Sequence, residues 1–430
     1  MLLMNKTIDS GYRSGEVCIP SSKSIVHRLM ICAALGSNTV TLQLEGLSKD
    51  IRATSACLAA LGAEIQLQNH SAVIKPAVTY RHPETMAVLP AGESGSTLRF
   101  LMPVVGALGR ECVFKMEGRL ANRPLKPFDL ELMKHGMLIQ QDGDHLYCSG
   151  QLQSGTFHLP GNISSQFFSG LLMALPLLPG DSCLVTEGNL ESSAYIALTE
   201  DALRVAGIKV MWSDDEKCWH IPGGQRGELP EVLNAEGDWS NAAFFLCMGA
   251  FSQTGITVSG LNLESHQGDR KILEILQEFG ANVTADSDRG AVTVKKGKMN
   301  PLHLDVSEIP DLVPVLAVLC CGAQGTSVLY SASRLRLKES DRLHTTTEMI
   351  HALGGEIEEY EDSLRIHGNG RLLGGIVDAC NDHRIAMSAA TAAVLCCSKS
   401  EIVGAECVEK SYPAFWLDYN GMTVKKECCP

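Results

Sequence analysis

Six glycines, Gly62, Gly136, Gly207, Gly280, Gly354 and Gly421, each close an apolar helix-like segment and open a strand-like one, at intervals of 74, 71, 73, 74 and 67 residues. The segments around them are alike: LAALGAEI at 58–65, LMKHGMLI at 132–139, LRVAGIKV at 203–210, LQEFGANV at 276–283, IHALGGEI at 350–357 and LDYNGMTV at 417–424. So regular a period constrains the architecture more than any local motif, because each unit has to bury its apolar face against its neighbours. Within each period a second apolar helix opens on polar residues: SSKSIVHR at 21–28, ESGSTLR at 93–99, SSQFFSG at 164–170, GDWSNAA at 237–243, PDLVPVLA at 310–317 and NDHRIAM at 381–387. Short alternating strands follow these helices, from residues 39, 112, 182, 255, 326 and 400. One unit thus predicts helix, strand, helix, strand and usually another strand, an α/β pattern repeated six times.

A chain of 430 residues exceeds what one apolar core normally supports, so six units divide as three and three. The glycine- and proline-bearing stretch at 223–240 is the seam. The expected domains are 20–235 and 236–430, with residues 1–19 returning to complete the second.

Charged residues make up 20% of the chain and hydrophobic residues 45%, as in ordinary globular proteins. No apolar run approaches a membrane-spanning length, and the N-terminal residues, with Lys6, Asp9 and Arg13, lack the apolar stretch of a signal peptide. The expectation is a cytoplasmic protein with no membrane partner. A net charge of −13 argues against a nucleic-acid partner while leaving room for a local anion site. The 16 cysteines form no C-x-x-C pair, and many sit in apolar segments (Cys32, Cys57, Cys247, Cys320, Cys321, Cys396, Cys397). They read as reduced, buried thiols, and no metal or other cofactor is expected. His27, His70 and His145 show no metal spacing. The small aromatic share and acidic balance give no sign of a large obligate interface, so a monomer is expected.

Cations gather where helices are expected to begin: Lys23 and Arg28; Arg99; Arg123 before Pro124; Lys338 and Arg342, with Glu339 and Asp341; Arg384 after Asp382 and His383; Lys410 before Pro413. Around them stand Ser24, Ser94, Gly95, Ser96, Ser164, Ser165, Gln166, Ser192, Asp238, Ser240 and Asp311. A cation in a first helical turn opposes the macrodipole and costs about 0.3–1 kcal/mol when exposed. A multiply charged anion at converging helix starts would offset that cost, held by backbone N–H groups and guanidinium forks. For any one serine, a plain N-cap is the stronger reading. For K-E-S-D-R at 338–342, a solvated helix start is equally good. D-H-R at 382–384 opens a very apolar helix, which favours a site. The G-E-S-G-S-T run lacks the P-loop lysine pattern, which argues against a nucleotide loop.

Taken together, K-S-x-x-x-R at 23–28, G-x-S-G-S-T-x-R at 92–99, R-P at 123–124, S-S-Q at 164–166, G-D-x-S at 237–240, R-L-K-E-S-D-R at 336–342 and N-D-H-R at 381–384 resemble the 5-enolpyruvylshikimate-3-phosphate synthase family over nearly the entire chain. The resemblance implies a two-domain inside-out α/β barrel, with three βαβαββ units in each domain and an active-site cleft between them. It also implies transfer of the carboxyvinyl group of phosphoenolpyruvate to the 5-hydroxyl of shikimate 3-phosphate, with release of phosphate. Carried over by position, Lys23 serves both substrates. Ser24, Arg28, Ser164, Ser165, Gln166 and Ser192 hold shikimate 3-phosphate, Arg28 at its carboxylate. Gly95, Arg123, Gln166, Arg342, Arg384 and Lys410 hold phosphoenolpyruvate. Asp311 and Lys338 flank the 5-hydroxyl, Glu339 lies near the methylene carbon, and Arg336 and Arg342 are expected to lower the Lys338 pKa.

Two residues depart from the family pattern: Glu93 stands where asparagine is common, and Arg334 replaces an asparagine often found on the shikimate phosphate. Gly95 matches the position at which small additions weaken glyphosate binding, so the resemblance implies inhibition by glyphosate. The related transferase acting on UDP-N-acetylglucosamine is the weaker reading, because it lacks the K-E-S-D-R and N-D-H-R pair and carries a loop cysteine with no counterpart here. A third reading is a non-catalytic anion-binding repeat protein, and the presence of Asp311, Lys338 and Glu339 beside the cations speaks against it.

Overall fold

The computed structural model describes residues 4–77 and 85–425. Twelve α-helices occur among them: α1 Lys23–Leu35, α2 Lys49–Ala60, α3 Gly95–Ala107, α4 Phe128–Lys134, α5 Ser165–Ala174, α6 Ser193–Val205, α7 Trp239–Gly249, α8 Ile272–Phe279, α9 Val313–Cys321, α10 Arg342–Ala352, α11 His383–Ala392 and α12 Phe415–Gly421. The chain divides into two compact units, one spanning Ser22–Ala235 and the other running from Glu236 onward together with the N-terminal residues through Ser21.

In the first unit each of three sheets has the same order. They run Val232–Asn234, Val40–Gln43, Ser71–Lys75, Glu64–Gln68; Ala87–Gly92, Cys112–Met116, His145–Gly150, Met137–Asp142; and Thr156–Pro160, Ser182–Glu187, Cys218–Ile221, Met211–Ser213. In every sheet the first pair is parallel and the next two are antiparallel. The second unit repeats the pattern in His303–Asp305, Gln324–Tyr330, Ser363–Asn369, Glu356–Glu359. Its other two sheets borrow N-terminal strands. Tyr12–Cys18 pairs in parallel with Ile256–Ser259, and Lys6–Ile8 pairs antiparallel with Ser400–Val403. Thr423–Lys425 joins Tyr12–Cys18 rather than the sheet of its own repeat.

Between these sheets run the helices that open on polar residues. In α7, α9 and α11 every residue is buried, as their mainly apolar composition favours, and the three pack on one another. In the first unit α3 packs on α5 and α1 on α3, with α2, α4 and α6 among their neighbours and the adjoining strands. Apolar helices inside and sheets around them make each unit an inside-out α/β barrel.

Five of the six periodic glycines, Gly62, Gly136, Gly207, Gly280 and Gly354, have φ between 70° and 110°. There they end a helix in the left-handed region, which would cost an ordinary L-residue roughly 1–2 kcal/mol. Gly421 differs: it is the last residue of α12, and the turn after it is made by Met422 at φ −67°. The sixth period keeps its spacing without the backbone need that explains the other five.

Candidate active site

Four of the buried helices, α3, α5, α7 and α11, begin with side-chain caps that fix their first turns. Ser94 accepts from the Thr97 N–H at 3.2 Å, Ser164 from Gln166 at 3.3 Å, Asp238 from Asn241 at 2.9 Å and Asp382 from Arg384 at 2.9 Å. The caps leave neighbouring polar side chains at the helix mouths.

In the first unit these mouths meet. The Arg99 guanidinium donates to Gln166 Oε1 at 2.7 Å, and the Gln166 amide donates to Ser96 at 3.0 Å, joining the starts of α3 and α5. Arg123 lies over Gly95, where a Cβ would stand 2.7 Å from its guanidinium and 3.0 Å from that of Arg99. Glycine at that position is therefore what lets two guanidiniums approach the α3 backbone. Glu93 packs against Gly118, itself at φ 56°.

Arg28, 2% exposed, donates four hydrogen bonds: to Thr199 at 2.7 Å, the Ser24 carbonyl at 2.7 Å, the Tyr195 carbonyl at 2.8 Å and Ser169 at 3.1 Å. All four acceptors are neutral oxygens, so burial pushes its pKa down to about 10. A guanidinium has five N–H donors, which leaves one on Nη1 for a further acceptor. Ser192 stands at the N-cap position of α6 in the left-handed region, at φ 55°, three residues before Tyr195. Ser165 is the first residue of α5. Lys23 pairs with Asp50 of α2 at 2.9 Å.

The second unit builds its cluster around Arg342, 1% exposed. It donates to Asp311 at 2.7 Å, Glu339 at 2.6 Å and Asp382 at 2.8 Å. Burial opposes its charge, but Asp382, Glu339 and Asp311 outweigh that and raise its pKa. Arg384 donates to the other oxygen of Asp311 at 3.1 Å, and Lys338 Nζ lies 3.5 Å from Asp311 Oδ1. Lys410 donates to the Asn381 carbonyl at 2.6 Å, which brings it to the mouth of α11. That mouth is entered through Cys380 and Asn381, both at positive φ (50° and 54°).

Burial lowers the Lys338 pKa; Asp311 opposes this, and Arg342 and Arg334 add to it. This corrects the expectation for Arg336, which is bound instead by Asp341 at 3.0 Å and Glu359 at 2.8 Å. Arg334, the departure from the family pattern, acts on Lys338.

A second correction concerns local structure. Arg123 follows a 3-10 turn and precedes α4, Lys338 and Glu339 precede α10, and Lys410 ends a 3-10 turn before α12, so none of the four stands in a first helical turn. Asp311 likewise occupies a 3-10 turn ahead of α9. His27 is fully buried and bonded to Thr54 at 2.7 Å, and burial with Lys23 and Arg28 nearby holds it neutral.

Sequence reasoning missed Asp50 and Asp269, and it put Asp382 at a site without giving it a partner. Asp269, 3% exposed, accepts a short hydrogen bond from Ser240 at the start of α7. Burial, then Asp311, pushes its pKa up to about 7.

The EPSP synthase (3-phosphoshikimate 1-carboxyvinyltransferase) family model matches residues 9–418. The chain belongs to the EPSP synthase family. Among relatives in this family, the 3-phosphoshikimate 1-carboxyvinyltransferase of Clostridium kluyveri is 41% identical over 413 residues, 95% of both chains. That of Clostridium acetobutylicum is 40% identical over 408 residues, 94% of both. Two solved structures share the EPSP synthase fold. The EPSP synthase of Acinetobacter baumannii has a TM-score of 0.79 at 24% identity, covering 98% of this chain and 100% of its own. The enolpyruvyl transferase NikO of Streptomyces tendae has a TM-score of 0.77 at 16% identity, covering 100% and 99%. No helix among the described residues is long and apolar enough to cross a membrane.

Proposed function

We propose that this chain transfers the enolpyruvyl group of phosphoenolpyruvate to the 5-hydroxyl of shikimate 3-phosphate, releasing phosphate, and that both clusters serve this one reaction. Family membership sets the reaction class, and the observation that carries the residue assignment is the gathering of buried cations at helix mouths. Both substrates carry a phosphate and a carboxylate, so cations and hydroxyls in this number suit them. Arg28, already saturated on four sides by neutral oxygens, has one remaining N–H suited to the shikimate carboxylate. Ser24, Ser164, Ser165, Gln166 and Ser192 hold the rest of that substrate. Gly95, Arg123, Arg342, Arg384 and Lys410 hold phosphoenolpyruvate, and Lys23 touches both.

The reaction adds the hydroxyl to the enol carbon while the methylene gains a proton, then expels phosphate as the methyl loses one. Asp311 has one oxygen on Arg342 and the other on Arg384, so both are already engaged by cations. Lys338, with its pKa lowered, is the better acceptor of the hydroxyl proton, and Asp311 positions it. Glu339, held by Arg342, carries the methylene proton. The fixed guanidiniums stabilise the charge that develops on the leaving phosphate.

Phosphate release measured with phosphoenolpyruvate and either shikimate 3-phosphate or UDP-N-acetylglucosamine tests the reading. Release with the first acceptor alone is expected. Release only with the second, or tight binding without turnover, would refute it.

A further inference from the structure

The sheet formed by Thr156–Pro160, Ser182–Glu187, Cys218–Ile221 and Met211–Ser213 buries Leu184, Trp219 and Ile221 on its inner face. The opposite face carries a different chemistry. Cys183 stands directly across from His220 on antiparallel strands, and Cys218 lies two residues before His220, so strand alternation puts all three on that face. Their ligand atoms all lie within 4.8 Å of one another. Cys218 Sγ is 3.5 Å from His220 Nε2 and 3.5 Å from a carboxylate oxygen of Glu216, which itself reaches His220 Nε2 at 2.7 Å. Neither cysteine is in a disulfide.

We propose that Cys183, Cys218 and His220 bind a zinc-type divalent ion, with Glu216 as the fourth ligand. The spacing carries the argument. In a tetrahedral zinc site, metal–sulfur bonds of about 2.3 Å and metal–nitrogen or metal–oxygen bonds of about 2.0 Å put the ligand atoms roughly 3.3–3.8 Å apart. The contacts around Cys218 already fall in that range, and modest side-chain rotation brings in Cys183 and lengthens the Glu216–His220 contact. Two thiolates with an imidazole select a borderline or soft ion and exclude magnesium and calcium, which take oxygen ligands. His220 and Glu216 are about half exposed, with side-chain values of 48% and 62%, so an ion reaches the site directly from solvent while Cys218 anchors it from below.

None of the four residues belongs to the proposed active site. The ion would instead tie the strand Ser182–Glu187 to the hairpin of Met211–Ser213 and Cys218–Ile221, stabilising the folded first unit by mass action. The cysteine pattern did not reveal this site because Cys183 and Cys218 lie on two strands, 35 residues apart in sequence, and lack the C-x-x-C signature.

The test uses the full-length protein, reduced and stripped of metal, titrated with Co2+ as a spectroscopic stand-in and then with Zn2+. One equivalent of Co2+ should give a thiolate-to-cobalt charge-transfer band with the strong visible bands of tetrahedral cobalt, and Zn2+ should displace it. Cys183→Ser or Cys218→Ser alone should weaken the charge-transfer band, the double variant should abolish it, and His220→Ala should weaken binding at least about tenfold. Because Cys218 is buried, the partly exposed Cys183 and the exposed His220 decide the matter if Cys218→Ser fails to fold. The proposal is overturned if the wild type shows no such band, if Cys183→Ser and His220→Ala leave it unchanged, or if the freshly isolated protein carries a Cys183–Cys218 disulfide.

Discussion

Replacing Gly95 with alanine isolates one geometric claim, that the bare α3 backbone sets the position of Arg123. A Cβ there would stand 2.7 Å from the nearer guanidinium nitrogen of Arg123, whereas ordinary contact begins near 3.4 Å. The guanidinium must retreat by about 0.7 Å, which stretches a charge-assisted hydrogen bond of roughly 2.8 Å to about 3.5 Å, where little of it survives. Losing one such bond costs roughly 1.5–3 kcal/mol, or about a 10- to 100-fold rise in KM for phosphoenolpyruvate. Glyphosate, if it uses the same position, should weaken in parallel. The fold should hold, because the crowded atoms are ends of long side chains and Gly95 begins a helix where alanine is favoured. Steady-state kinetics with each substrate varied in turn, alongside thermal unfolding, read all of this. An unchanged KM for phosphoenolpyruvate, or equal losses for both substrates with a lowered Tm, would refute the reasoning.

Arg28→Gln should raise KM for shikimate 3-phosphate about 10- to 100-fold and leave that for phosphoenolpyruvate nearly unchanged; equal effects on the two would remove Arg28 from the carboxylate. Lys338→Ala and Glu339→Ala should each lower kcat by about 10²–10⁴, and a kcat within about threefold of wild type would reject the proton-transfer roles. Asp269 gives a pH signature: the unfolded chain releases its proton near 3.8 and the folded chain only near about 7, so the folded state holds more protons in that window. Its contribution therefore makes stability fall as pH rises from about 4 to about 7 and level off above. Denaturant unfolding across that range should show a shallower fall in Asp269→Asn, and parallel curves would show that the carboxyl ionises normally.

The repeat was legible because its markers are local. A helix ending in a left-handed turn calls for glycine, and five of the six glycines occupy that geometry. The six buried helices were readable from apolar runs behind polar openings. Three of the leading strands were not legible from residue patterning. His303–Asp305, Ile376–Asp378 and Val232–Asn234 have three residues each, too few to show alternation, and the last pairs with Val40–Gln43, far earlier in the chain. The exchange that sends Tyr12–Cys18 to Ile256–Ser259 is a contact across some 240 residues, which no local pattern encodes.

The positions of the cations were legible, but the charge balance around them was not. The sequence suggested that cations at helix mouths required an external anion. In the second unit, however, Arg342 and Arg384 are already neutralised by Asp311, Glu339 and Asp382, with Asp311 and Arg384 separated by 73 positions. Breaking such a buried set by removing one partner is strongly destabilising, so these carboxylates must stay when substrate arrives. On the proposed reading, phosphoenolpyruvate therefore adds to an occupied cation network, while Arg28 in the first unit, with neutral partners only, gains its first negative charge from shikimate 3-phosphate. Desolvation already burdens Arg28, whose pKa is pushed down to about 10, and an arriving carboxylate relieves that burden. The two substrates consequently meet different electrostatics. A compensated network binds a carboxylate weakly and holds it in place for chemistry, whereas an uncompensated buried guanidinium converts the same contact into affinity.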